Sequence, residues 1–365
     1  MRMTRELMFV FVYLISSFLT SSYASHFQFL NRQITEKKWL TALDTFKCWS
    51  EKGNWNNSQT DGIKYYFEDF DTGQNGPSNS RRCHHYYNSV RHLPYPYSLS
   101  WYTTTNQCPT LYNSQWSKQQ LCDSLHGRNI LIVGDSISTQ FYQTLVLINT
   151  GDTSLNVINC TLEVPYSSNP FITVHFIRND ILTIANVTHD NKAEDHLAYS
   201  WATQYEWEPN IVTLNISLVI LNRGAHYVHD NVLVERLTSV FDYVTKQYPT
   251  VTFIFRNTPV GHTGCSDFFD AAPYATVPVQ VSEPSHPDWH WQEISNQNAI
   301  TRDLIHNKYP HIVYFDVYKL TMTRPDHHCL EKGDCFHYCF HSVIDSWVIF
   351  FTNIVHRLHQ AASEQ

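Results

Sequence analysis

Residues 128–145, RNILIVGDSISTQFYQTL, decide how the rest of the chain is read. Asn129 to Val133 form a short, almost unbroken apolar run, the pattern of a strand covered on both faces rather than one. The run stops at Gly134-Asp135-Ser136, and Ile137, Phe141, Leu145 and Ile148 then fall on one stripe of a helix. A strand that passes directly into a helix leaves Ser136 with two roles open to it. It is a helix cap, the commonest use of serine before a helix, or a nucleophile held out at the tip of a strand.

The same alternation continues downstream. FITVHFI (171–177) and ILTIANV (181–187) read as strands joined by Arg178-Asn179-Asp180 as a hairpin turn. VTLNISLVILN (212–222) reads as a central strand. Leu233, Leu237, Val240, Phe241 and Val244 sit at helical spacing before Pro249, which ends that helix. TVTFIFRN (250–257) and HIVYFDV (311–317) are further strands around a helix at 290–307. Ile344, Trp347, Val348, Phe351, Val355 and Leu358 mark a C-terminal amphipathic helix. Strands alternating with helices predict an α/β fold, a mostly parallel sheet covered by helices on both faces. Ligands in such sheets bind beyond the carboxyl ends of the strands, so polar residues that directly follow strands are the candidates for chemistry.

Four strand ends qualify: Gly134-Asp135-Ser136; LNRGAHY with Asn222, Gly224 and His226; FRNTPVGHTGC with Arg256, Asn257 and His262; and RPDHHCLEKGDCFHYC before the last helix. In the fourth, Asp334 and His337 are three residues apart, which puts both side chains on one side of a turn. A carboxylate so placed accepts one imidazole proton, fixes the tautomer and leaves the other nitrogen basic. A serine hydroxyl needs such a base before it becomes a useful nucleophile. Ser136, His337 and Asp334 are therefore the candidate nucleophile, base and orienting acid. The Ser136 N–H, the Gly224 N–H and the Asn222 amide are candidate oxyanion donors, and Arg256 is expected in a supporting role.

Composition limits the partners and the compartment. A formal charge of −8 argues against nucleic acid. Arg2 and Arg5 precede an apolar run and the small residues Ser22 and Ala24, a signal-peptide pattern with cleavage after Ala24. The run is short for a membrane span, which needs roughly 20 apolar residues; an uncleaved signal anchor is the minor alternative. Sequons at Asn56, Asn159, Asn186 and Asn215 and nine cysteines agree with a secretory-pathway protein, secreted or resident in the Golgi lumen. Asn215 falls in the central strand, where a glycan would not fit. Cys335 and Cys339 bracket His337, but a lone Cys-x3-Cys pair favours disulfides over a metal, and no metal or cofactor is expected. The organisation expected is a signal peptide at 1–24, an irregular, disulfide-pinned lobe rich in Cys and aromatic residues at 25–120, and a catalytic domain at 121–365.

VGDSIS followed by a helix, NRGAHY, and the late DCFHYC with DSW resemble the PC-esterase group of SGNH-like proteins, which includes the trichome-birefringence-like polysaccharide O-acetyltransferases. The resemblance extends upstream through Cys48…Gly53-Asn54-Trp55 and covers roughly residues 45 to 360. It implies an SGNH-hydrolase-like three-layer αβα fold. It also implies Ser136 as nucleophile, His337 as general base and then acid, Asp334 as its orienter, and an acyl-serine passed from an acyl donor to a glycan hydroxyl. The chain departs from the plant pattern at Tyr227, at Tyr338 and at Phe340-His341-Ser342. A carbohydrate esterase with the same triad and a catalytically silent glycan-binding protein are the alternatives.

Overall fold

A continuous apolar run such as Asn129–Gly134 needs cover on both sides, and the computed structural model places it at the centre of a six-stranded sheet. The structure describes residues 36–57, 99–103, 108–109, 117–163, 169–185, 202–265, 290–329, 334–338 and 342–363. The expected signal segment lies outside them.

In chain order the described elements begin with helix α1 (Glu36–Lys52), the antiparallel pair β1 (Gly53–Asn57) and β2 (Leu99–Thr103), and helix α2 (Ser117–Leu125). The alternating region follows as β3 (Asn129–Gly134), α3 (Ser136–Thr150), β4 (Val157–Asn159), β5 (Phe171–Arg178), α4 (Pro209–Thr213), β6 (Ile216–Leu221), α5 (Asp230–Gln247), β7 (Thr252–Arg256), α6 (Ile294–Lys308) and β8 (Val313–Phe315). Helix α7 (Tyr318–Thr321), the short pair β9 (His328–Cys329) and β10 (Asp334–Tyr338), and helix α8 (Val343–Ser363) complete it.

The sheet order is β4-β5-β3-β6-β7-β8, parallel from β5 to β8 with β4 antiparallel at one edge. Alternation along β3 sends Ile130 and Ile132 to one apolar layer and Leu131 and Val133 to the other. The first layer packs under α1, α2, α3 and α8, with Phe141 edge-on to Phe351 at 5.7 Å. The second packs under α5 and α6 through Leu237, Val240, Phe241 and Ile305. This is the expected three-layer α/β architecture with a mostly parallel sheet. Because β3 lies between β5 and β6, the strand order reverses at its carboxyl end, and that end carries Ser136.

Three local expectations are corrected. Arg178-Asn179-Asp180 is not a hairpin turn: β5 runs through Arg178, and residues 181–185 form no strand. Their apolar side chains Ile181, Leu182 and Ile184 are buried as loop, with Leu182 and Ile184 in the second layer. Asn215 is not in a strand but exposed in the turn before β6, at a φ of 50°, a left-handed geometry asparagine tolerates. Its side chain is accessible after all. Within the lobe expected to be irregular, Glu36–Lys52 is one regular helix, because Trp39, Ala42, Phe46 and Trp49 form a buried stripe against α8.

Disulfides join Cys48 to Cys108, Cys122 to Cys160 and Cys265 to Cys335. The last spans 70 residues and ties the loop after β7 to the strand that carries Asp334 and His337. Loop-closure entropy of that length is worth about 4 kcal/mol. Replacing both cysteines with serine is expected to lower the denaturant midpoint accordingly; an unchanged midpoint would show that the crosslink does not hold the fold. Among the described residues no helix is long and apolar enough to cross a membrane.

Candidate active site

The strand end resolves the role of Ser136 as a cap. Asp135 is the N-cap of α3, accepting from Ile137 N at 2.9 Å and Ser138 N at 3.1 Å. Ser136 is the first helical residue and its hydroxyl is left for another partner. Gly134 makes this junction possible: a Cβ there would lie 2.3 Å from Ser138 Oγ.

That partner is His337. Ser136 Oγ lies 2.6 Å from His337 Nε2 across 201 residues of sequence, and His337 Nδ1 lies 2.7 Å from Asp334 Oδ2. With Nδ1–H donating to Asp334, Nε2 presents its lone pair to the serine hydroxyl. The other Asp334 oxygen accepts from Phe336 N and His337 N, both at 3.0 Å, so the carboxylate is held within its own strand. Burial works to raise the Asp334 carboxyl. The hydrogen bond and charge of His337, with the two backbone N–H groups, outweigh it and hold the acid well below its usual range.

Two polar contacts carry β10 to α3. Gln140, one helical turn beyond Ser136, donates through Nε2 to the Tyr338 carbonyl and accepts from Tyr338 N at 3.2 Å. Tyr338 is itself buried, donates to the Val260 carbonyl at 2.6 Å and stands edge-on to Trp347. On the far side, His328 Nδ1 lies 3.0 Å from the His337 carbonyl, and His328 Nε2 lies 2.6 Å from His262 Nδ1. Burial, and after it the charge of His262, holds His328 well below the ordinary imidazole range. Replacing Gln140 with leucine strands two Tyr338 backbone groups, at about 1–3 kcal/mol each. Displacement of His337 by an ångström lowers turnover about a hundred-fold. The expected result is a loss in kcat far larger than any change in KM; a variant with wild-type kcat sinks the role given to Gln140.

The remaining candidates lie nearby with partners of their own. Asn222 is buried and its Nδ2 donates to the Arg256 carbonyl at 2.9 Å, which occupies one of its two amide hydrogens. Gly224 has a φ of 152° and packs so closely that a Cβ would meet Thr258 Oγ1 at 1.9 Å, so only glycine fits. Arg256 is buried beneath the helix start. Its Nη2 donates to Ser138 Oγ at 3.0 Å, lies 3.8 Å from Asp135 Oδ1, and its guanidinium stands over Trp347. Burial lowers it to about 10, with Asp135 opposing, so it remains a cation at neutral pH. Asn257 turns away, with its amide on Asp316 Oδ1 at 2.7 Å. His226 is buried 3.8 Å from Asp180 Oδ2; burial lowers its pKa, against the pull of Asp135 and Asp180. Among the described residues no group of three His, Cys, Asp or Glu side chains is arranged to hold a metal ion.

Three residues around the site escaped the sequence reading. Gln140 was hidden on a helix whose apolar stripe drew attention, although a glutamine one turn after a candidate nucleophile is a usable signal. Arg178 and Asp180 were hidden by being read as a turn; they are a fifth strand end, with Arg178 paired in register with Gly134.

No family model matches this chain. No curated protein matches it either. Among solved structures, the periplasmic domain of a lipopolysaccharide acetyltransferase from Salmonella ser. Paratyphi A aligns at 14% identity over 66% of this chain and 87% of its own, with a TM-score of 0.32. A candidate platelet activating factor from Streptococcus pneumonia aligns at 15% identity over 66% of this chain and 90% of its own, with a TM-score of 0.31. The architecture is defined by the strand order, not by these likenesses.

Proposed function

We propose that this protein is a serine acyl-enzyme of the secretory pathway that transfers an acetyl or similar acyl group to a glycan hydroxyl. The observation that carries the reading is the line Ser136 Oγ, His337 Nε2, His337 Nδ1, Asp334 Oδ2, with contacts of 2.6 and 2.7 Å at the strand-order reversal. The sequence resemblance to the PC-esterase group supports the same roles, and disulfides of this number suit an oxidising compartment.

In the first half-reaction Ser136 Oγ attacks the acyl carbonyl carbon of the donor while its proton passes to His337 Nε2. Asp334 holds the imidazolium in place. The tetrahedral oxyanion is met by the Ser136 N–H and the Gly224 N–H, with the second Asn222 amide hydrogen beside them. Collapse expels the donor's oxygen or sulfur group, which takes the proton from His337. In the second half-reaction a sugar hydroxyl gives its proton to His337 and attacks the acyl-serine, and His337 returns that proton to Ser136 Oγ as the acyl–oxygen bond breaks. Water in place of the sugar makes the same protein an esterase.

Incubation of the purified protein with an acetyl donor and unacetylated glycans, read by mass spectrometry, tests the reading. Gain of acetyl increments on the sugar is the expected result. Release of free acetate from acetylated glycans, with no gain by the acceptor, assigns the esterase reaction instead. Failure of a fluorophosphonate probe to label Ser136 leaves a glycan-binding protein without chemistry.

A further inference from the structure

The fifth strand end lies beside the nucleophile. Phe176 of β5 stacks on Tyr142 of α3 at 5.8 Å, and Arg178 is two residues further along the same face of the strand. Ser136 begins α3 six residues, about 1.7 turns, before Tyr142. Arg178 therefore stands alongside the first turn of α3, in register with Gly134.

The mount is rigid. Arg178 Nε and Nη2 donate to the two oxygens of Asp180 at 2.8 and 3.2 Å. The Asp180 side chain is fully buried, whereas 38% of the Arg178 side chain is exposed. Asp180 also accepts from Thr203 N at 2.8 Å, and the buried Asn179 amide binds the Thr183 and Tyr205 carbonyls at 3.1 Å each. Asn179 N donates to the Gly134 carbonyl at 3.0 Å, which fastens the loop to the strand that presents the nucleophile. One edge of the guanidinium is thus fixed by a buried carboxylate, and Nη1 makes no hydrogen bond among the described residues. The outward pair, Nη1 and the remaining Nη2 hydrogen, is the planar fork that a second carboxylate accepts bidentately.

We infer that Arg178 binds a carboxylate on the sugar presented to Ser136, so that the substrate class is an acidic glycan containing uronate residues. This rests on the acyl-transfer reading above. A polyphosphate-bearing group fits less well, since Arg178 and Arg256 are already balanced by the buried carboxylates of Asp180 and Asp135, and what Arg178 still offers is one pair of donors rather than surplus positive charge.

The test compares kcat/KM for a hexuronate trisaccharide and its carboxyl-reduced neutral counterpart, in the wild type and in Arg178→Lys and Arg178→Gln. The lysine variant keeps a cation against Asp180, which protects the fold, but lacks the fork. The wild type is expected to prefer the acidic sugar by about ten-fold or more, with added salt eroding the preference. Both variants are expected to lose most of it through a raised KM for the acidic sugar. A purely structural defect lowers both sugars together and leaves the ratio intact; that result, or a wild type indifferent to the carboxylate, overturns the inference. Dependence on Arg178 seen only with a sulfated neutral trisaccharide also overturns it. If Ser136 is not labelled and no sugar is acylated or deacylated, the acyl-transfer reading fails by itself. Calorimetric titration with the same trisaccharides then decides: tighter binding of the acidic one, lost in Arg178→Lys, sustains the carboxylate site, and equal binding removes it.

Discussion

Replacing Ser136 with alanine is expected to abolish fluorophosphonate labelling and to lower acyl transfer by about ten thousand- to a million-fold, while the fold is unchanged. The size of the effect follows from what the hydroxyl does: without it no acyl-enzyme forms, and only donor and acceptor positioning remain. The hydroxyl is not the helix cap, since Asp135 satisfies Ile137 N and Ser138 N. Thermal stability of Ser136→Ala should therefore fall by only about 0.5–1.5 kcal/mol, the range for losing the single hydrogen bond to His337 Nε2. Replacing His337 with alanine should cost a similar factor, and the double variant little more, because the two residues act as one unit. Undiminished turnover in Ser136→Ala would remove the acyl-serine and with it the proposed function.

Replacing Asp334 with asparagine is the second large effect, about ten-thousand-fold in kcat. An amide N–H facing His337 Nδ1 favours the tautomer with the proton on Nε2, which then points a hydrogen at Ser136 instead of a lone pair. The same substitution tests the acid side of stability. The folded Asp334 carboxyl titrates below its unfolded value of about 3.9. Its ionised form therefore stabilises the fold above that pH, and the contribution is lost as the pH falls through the folded-state value. Urea melts between about pH 5 and pH 2 should show the wild type losing stability more steeply than Asp334→Asn in that acid range. Parallel curves would mean that the His337 and backbone contacts to Asp334 add nothing to the fold.

Much of the architecture was legible because the parallel strands are covered on both faces. Such strands appear as unbroken apolar runs, and helices such as α5 and α8 declare themselves by stripes at helical spacing. What failed did so for local reasons. Residues 181–185 are apolar and β-like, yet they bury their side chains as a loop, and their burial comes from tertiary packing rather than a ladder. The polar RND before them then looked like a turn between strands instead of a strand end. The helix at 36–52 mixes its four apolar contacts with lysines and threonines, so its stripe is diluted in composition though clear in space.

The sequence by itself determined most of the alternation of strands and helices after residue 128, the Gly-Asp-Ser junction and the short spacing of Asp334 and His337. These depend on neighbours within a few residues, where side-chain periodicity and turn chemistry act directly. Only the tertiary structure decided that Ser136 meets His337, that Gln140 ties α3 to the backbone of Tyr338, and that Arg178 lies in register with Gly134. Those contacts join α3 to a strand some 200 residues away, and to a loop on the neighbouring β5. Such proximity is set by sheet order and by burial of whole layers, quantities that no local window of residues contains.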